Sequence, residues 1–174
     1  RGFPELMVAD LDADASVRCA AGLRMARNGF FSEHYFDRPL EAVVEGLDRR
    51  PVDRARLVEV ASLAAGSRAN PAGFIRDIIS CAAEAGAEWA VFTITPRLHS
   101  LLERLGHDIA VLGTADPARI PNVDDWGSYY DTRPVVAAMR KPARLSAEGR
   151  ARTSLVPARF RRSRPRASDR RQSD

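Results

Sequence analysis

Apolar and polar positions alternate at two different spacings along the chain, and the change from one to the other marks its elements. Leu57–Ala64 (LVEVASLA) is a short apolar run holding Glu59 and Ser62, the pattern of a largely buried strand. Ala65–Asn70 (AGSRAN) is a small polar loop. Asn70 suits a helix N-cap and Pro71 the first helical position. Phe74, Ile75, Ile78, Ile79 and Ala82 then recur at helical spacing up to Gly86, a natural stop. Trp89–Thr95 (WAVFTIT) returns to a strand composition. Strand, loop, helix and strand in this order form a crossover unit, which predicts that the two strands run parallel. Ligands on such sheets sit beyond the carboxyl end of the first strand, facing the free N–H groups of the helix, so a phosphate-bearing ligand is expected at Ala64–Ala72.

The same reading extends to both sides. Leu6–Leu11 and Val17–Ala26 flank the polar stretch Asp12–Ser16 and predict a β-hairpin. Gly22 inside the second strand marks a bulge or a close backbone approach, and Arg24 lies on the same side two residues later. Leu40, Val43, Val44 and Leu47 form the buried stripe of a helix opened by Asp37 and Pro39 and ended by Gly46, Asp48 and Pro51. Arg49, Arg50, Arg54 and Arg56 follow as a solvated group. Leu98, Leu101, Leu102 and Leu105 give a third helix, from Pro96 to Gly106. Ile109–Leu112 is a short strand, and Pro134–Met139 an edge strand with proline at its entry.

Two aromatic clusters interrupt this alternation. Asn28–Asp37 (NGFFSEHYFD) surrounds Glu33 and His34 with Phe30, Phe31, Tyr35 and Phe36, and Trp126–Tyr130 (WGSYY) is the second. Such clusters anchor loops on a core; read for function, the first is one wall of a pocket in which Glu33 has a raised pKa and acts as a base. No His or Cys partners His34 at metal-ligand spacing, so no metal is expected.

Composition changes the picture at one end of the chain. Residues 140–174 hold 12 Arg and Lys against 3 Asp and Glu, so this tail carries +9 while residues 1–139 carry −5 of the overall +4. The tail is Arg, Ser, Pro and Ala with few large apolar residues, which predicts disorder. Nucleic acid or an anionic membrane is its obvious partner class, although no aromatic interleaving accompanies it, and a reading frame that has lost register gives the same composition. The folded part, residues 1–139, is expected as one domain that does not bind nucleic acid. At 174 residues the chain can bury a real core, and no apolar run is long enough to span a membrane. No signal peptide is visible and Cys19 and Cys81 read as buried free thiols, which together point to the cytoplasm.

Hairpin, helix, strand, phosphate-type loop, helix, strand, helix, strand is the order of GNAT-type acyltransferases. Within it, FSEHYFDRPLEAV, RLVEVASLAA, WAVFTITPRLHSLLERLG and WGSYYDTRPVV occur in the order that resembles the thermostable hemolysin family, over about Leu6–Ala138. That family is itself GNAT-like and similar to the acyl-homoserine-lactone synthases, which keep a Glu in the strand before the cofactor loop, the position of Glu59 here. Gly22-Leu23-Arg24 loosely echoes the hairpin of those synthases. The chain departs from the pattern in carrying Pro71 at the first glycine of the usual loop and Ala61-Ser62 where the family has Gly-Asn. The fold's first strand and helix are also not visible before Arg1, so the chain reads as N-terminally truncated.

The resemblance implies an α/β, GNAT-like mixed sheet and an acyltransferase using an acyl thioester of coenzyme A or acyl-carrier protein as co-substrate, with no covalently bound cofactor. The pantetheine then lies along the backbone of Ala61, Ser62, Leu63 and Ala64, and the pyrophosphate over Gly66, Ser67, Arg68, Ala72 and Gly73. Glu59 is the first choice of base and Glu33 the alternative, Arg24 holds an anionic acceptor, and Tyr130 protonates the leaving thiolate. Against this stand two other expectations. One is a membrane-active hemolysin, as the family's name implies; the other is a catalytically inactive GNAT-shaped binding module or remnant. A carboxylate simply paired with an arginine also accounts for Glu59.

Overall fold

The computed structural model describes residues 4–66, 70–141 and 153–157, the last five by their backbone. Three helices and a mixed sheet of seven strands are formed among them. The strands are β1 (Leu6–Leu11), β2 (Val17–Met25), β3 (Leu57–Ala65), β4 (Trp89–Ile94), β5 (Ala110–Thr114), β6 (Val135–Arg140) and β7 (Thr153–Pro157). The helices are α1 (Leu40–Asp48), α2 (Pro71–Glu84) and α3 (Pro96–Arg104). Across the sheet the order is β5-β6-β4-β3-β2-β1-β7. The β1–β2 hairpin and the parallel β3–β4 pair are as the alternation predicted.

Alternate residues of each strand serve two cores. Val8, Leu23, Val58, Val60, Phe92 and Ile94 pack under α2 with Phe74, Ile75 and Ile78. Leu57, Val91, Val136 and Ala138 face the other way, against Leu40 and Val44 of α1 and the aromatic residues Phe30 and Tyr35. Glu59 falls on this second face by its parity with Leu57, as does Arg24, its direct partner on β2. Both cysteines are buried and free.

Several expectations are corrected. β6 is an interior strand between β5 and β4, not an edge, because Pro134 precedes it and Val136–Met139 are buried with a neighbour on each side. Leu47 and Leu105 end their stripes exposed, one in the final turn of α1 and the other just after α3, where the packed surface has run out. Within the tail expected to be disordered, Thr153–Pro157 pairs antiparallel with Leu6–Asp10, since TSLVP has enough β-branched and apolar content to extend an open strand edge. The rest of that tail beyond Lys141 lies outside the described residues.

Candidate functional site

The parallel pairing of β3 and β4 stops at Val60 and Phe92, although β3 continues for five residues and β4 for two. Just past the last pair, β3 carries a bulge: Gly22 faces Ala61 and Ala20 faces Ala64, so Ser62 and Leu63 together oppose Ala21. Ser62 takes a left-handed φ of 56°, as the extra residue of such a bulge does. Burial falls away at the same point, from Val60 at 7% exposure to Leu63 at 38%. The two strands therefore part, and Ala61–Ala65 keeps β2 on one side with no partner from β4 on the other.

Two short 3-10 turns meet beside the end of this pairing, on the face that carries Glu59. The first, Phe31–Tyr35, is tied to β3 by Glu59, whose Oε2 and Oε1 accept the backbone N–H groups of Phe31 and Ser32, each at 2.7 Å. A carboxylate fits there because the leading amides of a helical turn have no partner within it and attract negative charge. Arg24 completes the arrangement, with its Nε 3.6 Å from Glu59 Oε2. The second turn, Tyr129–Thr132, is tied to β4: the Tyr129 hydroxyl donates to the Thr93 carbonyl at 3.0 Å, one residue past the last β3–β4 pair. The turns also hold each other. Tyr35 and Tyr130 share a hydroxyl–hydroxyl hydrogen bond of 2.5 Å, and the Phe31 and Trp126 rings lie 5.3 Å apart. Gly127, at φ 52° and ψ −132°, permits the bend between Trp126 and Tyr129. The result is an aromatic roof that ties β3 at Glu59 to β4 at Thr93, beside the point where their pairing ends.

The proposed site residues thus fall into distinct places. Arg24 pairs with Glu59, and Tyr130 is linked to that pair through Tyr35 and the Phe31–Tyr35 turn. Glu33 does not enter it with a free carboxylate. Arg54 donates to its two oxygens at 2.5 and 3.0 Å and to Glu41 at 2.6 Å, and the amides of Leu40 and Phe30 donate to it as well. The Arg54 guanidinium holds Glu33 below the ordinary carboxylate value despite partial burial, the reverse of the raised pKa expected. Arg54, expected in solvent, lies in this network with its guanidinium 4.8 Å over the Phe30 ring. His34 Nδ1 lies 2.8 Å from the Phe31 carbonyl. No group of three or more potential metal ligands occurs among the described residues.

On the phosphate side, Ser67 and Arg68 lie outside the described residues. Gly66 is placed at the end of β3, but its amide is already donated to the Arg18 carbonyl at 2.8 Å. The Gly73 amide is donated to Asn70 Oδ1 at 3.1 Å, the predicted N-cap. Pro71 has no N–H, which leaves Ala72 as the first-turn donor outside the cap. An anion at this helix end therefore competes with the Asn70 side chain.

Tyr35, Tyr129 and Trp126 were not singled out as site residues from the sequence. Burial raises the Tyr35 hydroxyl well above the ordinary tyrosine value, with the Tyr130 hydrogen bond adding to it, and raises Tyr129 to about 12. The aromatic density of Phe30–Phe36 and Trp126–Tyr130 is a signal in the sequence, but only the fold shows which of the rings meet.

A family model described as thermostable hemolysin matches residues 1–144. No curated protein matches the chain. Among solved structures, TofI in an apo form is similar with a TM-score of 0.52 and 18% identity, over 79% of this chain and 67% of that one. BjaI, a CoA-dependent acyl-homoserine lactone synthase with SAM and isopentyl-CoA, gives a TM-score of 0.55 at 11% identity, over 80% of this chain and 60% of that one. FeeM, an N-acyl amino acid synthase from uncultured soil microbes, gives 0.52 at 16% identity, over 80% and 75%. At these identities the likeness is one of fold, which is GNAT-like, and the chain spans less than two thirds of BjaI.

Proposed function

The chain belongs to the thermostable hemolysin family, and we propose that it is an acyltransferase taking its acyl group from a pantetheine thioester of coenzyme A or an acyl-carrier protein. The observation that carries this reading is the parting of β3 from β4 after Val60 and Phe92, beneath a roof of aromatic side chains. An unpaired strand edge offers N–H and C=O groups in a row, and the pantetheine arm, with its two amides, matches such an edge. Ala61, Ser62, Leu63 and Ala64 supply that edge. The diphosphate of coenzyme A then lies toward the start of α2, where Ala72 donates and the helix dipole favours negative charge.

Under the roof the thioester carbonyl meets the acceptor. An amine or hydroxyl forms the new bond to the carbonyl carbon, and the carbon–sulfur bond breaks with its electron pair on sulfur. Arg24 places positive charge beside an anionic acceptor. Tyr130 supplies the proton that the sulfur takes. Glu59, with both oxygens engaged by backbone amides, serves here to hold the Phe31 turn and to orient Arg24 rather than to collect the acceptor's proton, which passes to solvent. Glu33 acts at a distance, fixing the turn through Arg54.

Hydrogen exchange with and without coenzyme A tests the binding half of this reading. Protection is expected at Ala61–Gly66 and the first turn of α2, and unchanged exchange there at saturating coenzyme A refutes it. Thiol release from acyl-coenzyme A in the presence of amine acceptors tests the transfer half. Protection without thiol release favours the inactive binding module.

A further inference from the structure

We propose that Tyr35 is a positioning residue that makes Tyr130 a proton donor: the buried Tyr35 hydroxyl donates to Tyr130 Oη and so frees the Tyr130 proton for the leaving sulfur. This rests on the acyltransfer reading. Either hydroxyl can donate across their 2.5 Å contact, and the surroundings decide between them. Tyr35 is 4% exposed, its ring packed edge-on to Phe31, whereas Tyr130 is only half-buried. A buried hydroxyl has to find a partner, and Tyr130 is the one Tyr35 has among the described residues. If Tyr130 donated instead, its proton would be spent inside the roof. Burial also keeps Tyr35 protonated, so it remains a donor after Tyr130 has given its proton away.

The step balances. The acceptor loses a proton as its bond to the carbonyl carbon forms, and the sulfur leaves with the carbon–sulfur electron pair and takes the Tyr130 proton. The Tyr130 phenolate, stabilised by the Tyr35 O–H, is reprotonated from water by the equivalent the acceptor released. A hydrogen bond to a charged oxygen contributes about 1.5–3 kcal/mol, so removing it weakens the donor about 10- to 100-fold.

The chain has three tyrosines and all three lie in this roof, so tyrosinate absorbance at 295 nm reads the site without any turnover. In a Tyr129→Phe background the Tyr35–Tyr130 pair supplies the whole signal. Adding Tyr35→Phe should move the first tyrosinate step upward by about one unit or more, and adding Tyr130→Phe, at the more exposed position, should do the same because either change breaks the shared hydrogen bond. A first step that stays in place in either folded variant overturns the proposal. In the otherwise unchanged chain, Tyr35→Phe should slow transfer from an alkyl thioester such as acetyl-coenzyme A about 10- to 100-fold. Transfer from an aryl thioester, whose thiolate leaves without a proton, should slow less than about threefold. Equal losses on both donors make Tyr35 structural and overturn its role alone. A parent protein that turns over neither thioester overturns the acyltransfer reading and this role together, while the absorbance result still reports on the hydroxyl pair.

Discussion

Replacing Glu59 with Gln tests what that carboxylate does. The side chain is 4% exposed and accepts two backbone N–H groups at 2.7 Å, with Arg24 at 3.6 Å. Gln keeps the size and one accepting oxygen but presents an NH2 group to the other amide. One of Phe31 N and Ser32 N is then left facing a donor in a buried setting, which costs about 1–3 kcal/mol. Arg24, at 15% side-chain exposure, loses its charged partner as well. Breaking a buried ion pair from one side costs about 3–5 kcal/mol when fully buried, and the longer Nε–Oε distance puts this pair toward the lower end. The two losses share one network and are not additive, so the expected total is about 3–4 kcal/mol. For a chain of this size that is a fall in melting temperature of roughly 6–16 °C. Hydrogen exchange locates the effect: the amides of Phe31 and Ser32 should exchange far faster in Glu59→Gln, while those of α2 change only with global stability. A variant that keeps its melting temperature, exchanges normally at Phe31 and Ser32, and loses thioester turnover about 10²–10⁴-fold refutes this reasoning and restores Glu59 as the base.

Three further outcomes follow from the same geometry. Arg54 depresses Glu33, so that contribution is present above the ordinary carboxylate value of 4.5 and is lost as pH falls below it; melts from pH 6 to pH 3 should show an acid limb that Arg54→Met reduces, and an identical limb in the variant refutes the assignment. Gly22→Ala would set a Cβ 2.3 Å from Pro4 Cγ and 3.4 Å from the Ala61 carbonyl oxygen, so denaturant unfolding should show a loss of about 1–3 kcal/mol, and an unchanged midpoint would mean that the Pro4 segment moves aside freely. Asn70→Ala removes the α2 cap and should destabilise by about 1 kcal/mol while leaving coenzyme A binding equal or tighter, since the freed Gly73 amide can serve the diphosphate; weaker binding in calorimetry would place the ligand elsewhere.

The β3–α2–β4 unit was legible in the sequence because its signals are local: an apolar run, an Asn-Pro helix start and a β-branched second strand each act within a few residues. The N-cap at Asn70 and the bulge beside Gly22 came out of the same kind of reading. Pro134 misled for a related reason. Proline within a strand argues for an edge, but here it stands just before β6 and withholds no donor from the ladder inside it. What could not be read were partnerships across the chain. Glu59 meets amides 28 and 27 residues earlier, and Tyr35 meets a hydroxyl 95 residues later. No periodicity encodes such distances. Glu59 and Arg24 were picked from their places in a family pattern; the fold pairs them with each other and reaches Tyr130 through Tyr35, which changes what each can do.

That change has a physical logic. Glu33 suggested a base because a carboxylate in an aromatic frame prefers to be neutral, and Glu59 because of its place in the strand before the cofactor loop. Each instead has two or more donors within hydrogen-bond reach and an arginine beside it, and for Glu33 the Arg54 guanidinium favours the charged form. Their negative charge is then used structurally, to hold the leading amides of a short turn that has little intrinsic stability. The turn in turn carries Tyr35 to Tyr130. A roof fastened by such carboxylates keeps its hydroxyls in register without needing a long element beneath them, and it leaves Ala61–Ala65 without a partner from β4, the edge proposed for the thioester arm. Under the acyltransfer proposal the acid–base work falls to the tyrosine pair, whose buried member Tyr35 holds its proton well above the ordinary tyrosine value.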